Sequence, residues 1–164
     1  MNQMKETIIN WLCRIEKRET VPNEIVAFNF GLFEQDKGYC VYLTGSKQYD
    51  ATDDDWACNV DFEPKEKYIE FSSEECAEMT WEDFQILVKE IVTEYIGNAH
   101  SESIFRIGER AVTIGFDDGE LEKIQWKQKT DSDLQLLASS GLEEKKKSPF
   151  RKGVKWLKQL LGME

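Results

Sequence analysis

The sequence predicts an α+β domain, with an antiparallel or mixed sheet covered by helices and a C-terminal amphipathic helix beyond it. Three patterns carry that prediction. Two segments, one at the N-terminus and one after residue 80, repeat apolar residues at three- and four-residue spacing, the period of a helix face. Residues 24–44 and 111–126 place β-forming runs on either side of short turns rich in Asp and Gly. Residues 149–164 divide an apolar stripe from a basic face at helical spacing.

Met4, Ile8, Trp11, Leu12 and Ile15 mark the buried face of the first helix, which ends before Pro22 and Asn23. A strand follows over residues 24–34. One of its faces carries Val26, Phe28, Phe30 and Leu32, the other Ile25, Ala27, Asn29, Gly31 and Phe33. So much apolar material on both sides predicts an inner strand, with Val26, Phe28 and Phe30 against helical aromatics such as Trp11 and Phe84. Residues 35–38 form a turn in which Gly38 supplies a positive φ, and residues 39–44 return as a second strand.

Residues 45–61 are a polar connection, with short extended pieces expected around 58–62 and 67–71. Thr80 then caps a second helix, Asp83 stands where a capping box needs its acid, and Met79 is placed to staple onto Phe84. Trp81, Phe84, Val88, Ile91 and Tyr95 mark the face of that helix, which stops at Gly97 and Asn98. Strands at 111–116 and 121–126 bracket Asp117, Asp118, Gly119 and Glu120, a second hairpin signal that also admits mixed or parallel pairing. The expected organisation is a domain over 1–130, a polar linker over 131–148 and the basic helix over 149–164.

Hydrophobic residues make up 40% of the 164, enough for one core and no second. No apolar run reaches the ~20 residues of a membrane span. Residues 1–17 are broken by Lys5, Glu6 and Arg14, so the expected location is cytoplasmic. Cys13, Cys40, Cys58 and Cys76 lack the close spacing of a zinc or redox motif and are expected to be reduced.

Charge is divided along the chain. From Lys145 onward there are seven basic residues and one acid, net +6, against 14 basic and 31 acidic residues before it, net −17. So acidic a body repels nucleic acid and attracts a basic protein, although acidity also serves solubility.

The sharpest local feature is Asp53, Asp54, Asp55 and Trp56, preceded by Tyr49 and Asp50. An aromatic anchor beside concentrated negative charge suits a protein-binding loop. Two other readings stay open: a solvated acidic loop, or a loose Mg or Ca site using Asp50 with Asp53 or Asp55. Consecutive acids without a following glycine exclude an EF-hand. His100, the only histidine, has no nucleophile motif in the sequence to serve, and Glu74, Glu75 and Glu78 sit where acids favour a helix start. No phosphate-cradling glycine loop is present. The expectation is therefore a protein that is not an enzyme and uses no metal or cofactor.

In the terminal helix, Phe150, Val154, Leu157 and Leu161 oppose Arg151, Lys152, Lys155 and Lys158. Such a helix suits docking on the domain, a partner groove or peripheral contact with a membrane surface. An adaptor acting through this helix is thus one functional class, and a small-ligand binder or enzyme a third.

The stretches Ile25-Val-Ala-Phe-Asn-Phe-Gly-Leu-Phe-Glu, Tyr39-Cys-Val-Tyr-Leu-Thr-Gly-Ser and Tyr49-Asp-Ala-Thr-Asp-Asp-Asp-Trp56 resemble small bacterial immunity proteins of polymorphic or contact-dependent toxin systems. The resemblance covers roughly residues 20–70 and the order helix, hairpin, acidic loop, helix. It implies a cytoplasmic inhibitor that binds and blocks a basic toxin domain. The basic tail departs from that pattern.

Overall fold

The computed structural model describes residues 2–76 and 79–127, so the expected linker and basic terminal helix lie outside the described residues. In chain order the elements are α1 (Asn2–Arg18), β1 (Ala27–Gln35), β2 (Gly38–Ser46), a 3₁₀ turn (Asp54–Cys58), β3 (Tyr68–Ser72), α2 (Trp81–Asn98), β4 (Ala111–Phe116) and β5 (Glu122–Lys123). The strands form one mixed sheet in the order β3-β2-β1-β4-β5, giving an α+β fold. β1 pairs antiparallel with β2 and parallel with β4, so it lies at the centre of the sheet. No helix among the described residues is long and apolar enough to cross a membrane.

The helices cover one face of the sheet. Met4, Ile8, Trp11, Leu12 and Ile15 of α1 are buried there with Phe28, Phe30 and Leu32 of β1. The Trp11 and Phe30 rings meet edge-on at 6.2 Å, and Phe105, from the α2–β4 connection, stands 5.2 Å from Phe28. Each such side chain contributes about 1.5–3 kcal/mol by leaving water. Val26 departs from the expected face and is 42% exposed, while Ile25 is buried. Alternation holds only within the strand, which begins at Ala27. Val26 is joined to its neighbours by backbone bonds alone, its N–H to Ser46 and its carbonyl from Ala111.

α2 is fastened at its start by the capping box: Thr80 accepts from the Asp83 N–H and Asp83 accepts from the Thr80 N–H. The opposite face of the sheet is covered by loops and flat rings. At Gly31 the Tyr42 ring lies directly on the backbone, where an added Cβ would come within 1.9 Å of Tyr42 Cζ. Gly31 is required by that close approach. Tyr42 then donates its hydroxyl to Asp117 Oδ1 at 2.5 Å, tying β2 to the turn after β4.

Arg110 is buried at the entry to β4 and donates to the carbonyls of Ile25 (2.7 Å), Ile104 (2.6 Å) and Pro22 (3.1 Å). Its fork geometry thus ties the starts of β1 and β4 together without a carboxylate among its described partners.

Candidate partner-binding surfaces

The acidic loop over residues 49–56 is held by its own carboxylates. Asp50 Oδ1 accepts from the Thr52 N–H at 2.8 Å and the Thr52 hydroxyl at 2.7 Å, and these bonds hold its carboxyl below the ordinary range. Asp53 Oδ1 accepts from the Asp55 N–H at 3.0 Å and caps the 3₁₀ turn. Asp54 Oδ2 reaches across to the backbone N–H of Leu121 at 2.8 Å.

Trp56, expected to anchor a partner, is covered by the chain itself. Its side chain is only 5% exposed, packed on Ala27 and Ala111 with Leu121 alongside. Tyr49 meets it edge-on at 5.3 Å, and the Lys123 ammonium stands 5.3 Å from the Tyr49 ring centre. The small alanines at the heads of two parallel strands leave the space that the indole fills. Asp53 and Asp54 satisfy backbone donors, Asp55 has no side-chain hydrogen bond among the described residues, and all three aspartates are exposed. No group of three or more His, Cys, Asp or Glu among the described residues is placed to hold a metal ion.

A second acidic surface lies where β1 and β4 end, beside the first turns of α2. It is a groove of about 980 Å³. Phe33 and Phe116 contribute apolar surface to it, and Trp81 and Ile86 are 51% and 54% exposed along it. Six carboxylates line it: Glu34, Glu82, Asp117, Asp118, Glu120 and Glu122, with no Lys or Arg among the described lining residues. Asp117 accepts from Tyr42, while Glu122 accepts from Gln85 at 2.6 Å and from Lys89. The Lys89 bond is the main cause holding Glu122 below the ordinary carboxyl range, with Gln85 adding to it.

The sequence had placed Trp81 on the buried face of α2. Its indole instead stands edge-on to Phe116 at 5.7 Å, where the apolar part of β4 ends, and half of it stays in water. Gln85, Val92 and Ile96 fill the buried face with Phe84, Val88 and Ile91. The signals available in the sequence were an acid-dense hairpin turn and a tryptophan at the first position of a helix. Their convergence is tertiary and no local pattern announces it.

His100 is exposed in the loop after α2. Glu75 accepts from the Ser72 N–H at 2.9 Å and closes the turn after β3, a local job distinct from the helix-start role expected of it; Glu78 lies outside the described residues. The four cysteines are free, Cys40 and Cys76 buried and Cys58 exposed, and burial pushes the Cys40 thiol up to about 11. Glu16 accepts from the hydroxyls of Tyr95 (2.6 Å) and Ser103, joining α1, α2 and the loop before β4. No protein-family model, curated protein or solved structure matches this chain.

Proposed function

We propose that this chain is a non-catalytic binding protein that captures a basic protein partner, in the manner of an immunity protein blocking a toxin domain. One observation carries the reading. Of the six carboxylates around the groove, Glu34, Glu82, Asp118 and Glu120 have no ion pair or side-chain hydrogen bond among the described residues, and they surround exposed apolar side chains. Unpaired like charges held together repel one another, and a basic surface turns that repulsion into attraction. The wider field supports the same reading, because residues 1–144 carry a net charge of −17 that speeds encounter with a cationic partner. Asp50, Asp53 and Asp55 add to this steering field, while close contact falls to surfaces that expose apolar atoms.

Expression beside proteins encoded next to it tests the proposal. A neighbouring gene product with a basic, growth-arresting domain should be neutralised by co-expression of this chain, and the two should co-elute. Arrest that persists with both proteins present, and separate elution, would end the immunity reading.

A further inference from the structure

We infer that the groove between the start of α2 and the β4–β5 turn receives a partner segment in which arginine or lysine side chains flank a bulky apolar one. This deepens the proposed capture of a basic protein and rests on it. The groove's volume, about 980 Å³, accommodates several side chains. Its apolar surface comes from Phe33, Phe116, Trp81 and Ile86, and its carboxylates come from three separate elements: Glu34 on β1, Glu82 on α2, and Asp118 and Glu120 on the turn.

Charge selects the occupant. An acidic segment would meet six carboxylates. A neutral apolar one would desolvate them without giving them a partner, which costs more than the apolar contact returns. A second copy of this acidic body brings the same sign of charge. The carboxylates do not converge into a group able to hold a metal ion among the described residues, so a spread of cationic side chains fits them better than one ion. Trp81 supplies the anchor. Its ring is held edge-on by Phe116 at 5.7 Å yet remains 51% exposed, so its orientation is set before a partner arrives. An indole in that state can take an apolar side chain or a guanidinium with little further ordering.

The turn that bears Asp118 and Glu120 is held from outside the groove. Tyr42 donates to Asp117 at 2.5 Å, and Asp54 accepts from Leu121 at 2.8 Å, so both ends of the turn bearing Asp118 and Glu120 are tied down. The acidic loop thereby positions the groove without lining it.

The test titrates isotope-labelled full-length chain with two capped synthetic peptides of equal length, one alternating arginine with leucine, the other glutamate with leucine. The arginine peptide should shift backbone amides of Glu82, Gln85, Ile86, Asp118 and Gly119 most, and the glutamate peptide should shift none. Trp81→Ala, and separately the combination Glu82→Gln, Asp118→Asn and Glu120→Gln, should each weaken binding by about tenfold. Raising salt from about 50 to about 300 mM should weaken the parent and leave the triple variant nearly unchanged. Thermal melts matching the parent confirm that the variants fold. Shifts gathered around residues 50–55, with groove variants binding like the parent, would overturn the groove assignment and leave capture of a basic partner standing. Equal binding of the glutamate peptide would overturn selection by charge. Failure of the arginine peptide to bind anywhere would count against the basic partner itself.

Discussion

Trp56 and Trp81 each stand beside a run of carboxylates, and the molecule uses the two neighbourhoods in opposite ways. Around Trp56 the ring is buried against Ala27 and Ala111, and Asp50, Asp53 and Asp54 accept from backbone donors. Around Trp81 the ring is half in water and Glu82, Asp118 and Glu120 have no ion pair or side-chain hydrogen bond among the described residues. An acid beside a tryptophan therefore carries no fixed meaning. What separates a structural loop from a contact surface is whether the polar groups are already committed to donors within the chain, because carboxylates left to water stay available to a basic partner.

That contrast predicts unequal responses. Trp56→Ala should cost roughly 3–5 kcal/mol of stability, as expected for a buried aromatic, and should lower the urea midpoint markedly. Trp81→Ala should cost under about 1 kcal/mol. Equal losses in the two variants would erase the distinction between the regions. Gly31→Ala comes next, at about 1–3 kcal/mol, because the new methyl displaces Tyr42 from the backbone and from Asp117. If that variant melts like the parent, Tyr42 is not the cover it is described to be.

Asp53→Ala and Asp54→Ala should each cost roughly 0.5–2 kcal/mol by orphaning a backbone N–H, with Asp54→Ala also raising amide exchange at Leu121. Asp118→Asn and Glu120→Gln should stay within about 0.5 kcal/mol of the parent. A larger loss in the second pair than in the first would show that the turn's acids have internal work after all.

The smallest effect is in acid. Glu66 and Glu122 are held below the ordinary carboxyl range, Glu66 chiefly by its bond from Arg14 and Glu122 chiefly by its bond from Lys89. Carboxyls lowered in the folded state contribute stability that is present above their unfolded value, about 4.3. That contribution is lost as pH falls through the lowered folded value. Glu66→Gln and Glu122→Gln should each make urea stability less steep between about pH 5 and 3 than in the parent. A slope unchanged in both would mean the pairs do not persist in solution.

The α2 start was legible because a capping box is local: Thr80 and Asp83 lie within one turn and satisfy each other. The buried status of Phe28 and Phe30 was legible for the same kind of reason, since a strand apolar on both faces has nowhere to go but the middle of a sheet. Trp81 was misplaced because periodicity identifies a helix face without saying where the sheet beneath it ends, and the burial of Trp56 depends on Ala27 and Ala111, which are distant in sequence. Trp81 lies on the apolar stripe of α2 but stands against Phe116 at the end of β4, half exposed. Asp53 bonding the amide two residues on was a pattern available in the sequence; Asp54 reaching Leu121 was not, because that contact exists only once the sheet is assembled.

The parallel pairing of β1 with β4 has a consequence during synthesis. β1 acquires β2 across a tight turn almost as soon as both leave the ribosome, but its other edge waits until β3, α2 and finally Ala111–Phe116 have been made. For that interval the nascent chain displays an unpaired row of amides on Ala-Phe-Asn-Phe-Gly-Leu-Phe, a stretch without charge and rich in aromatics. Such an edge is a template for the wrong strand. Closure by so distant a partner slows the final docking. Aggregation during expression is therefore expected to depend on how quickly β4 arrives: chains stopped between α2 and β4 should be captured by chaperones, and chains extended past Phe116 should be released.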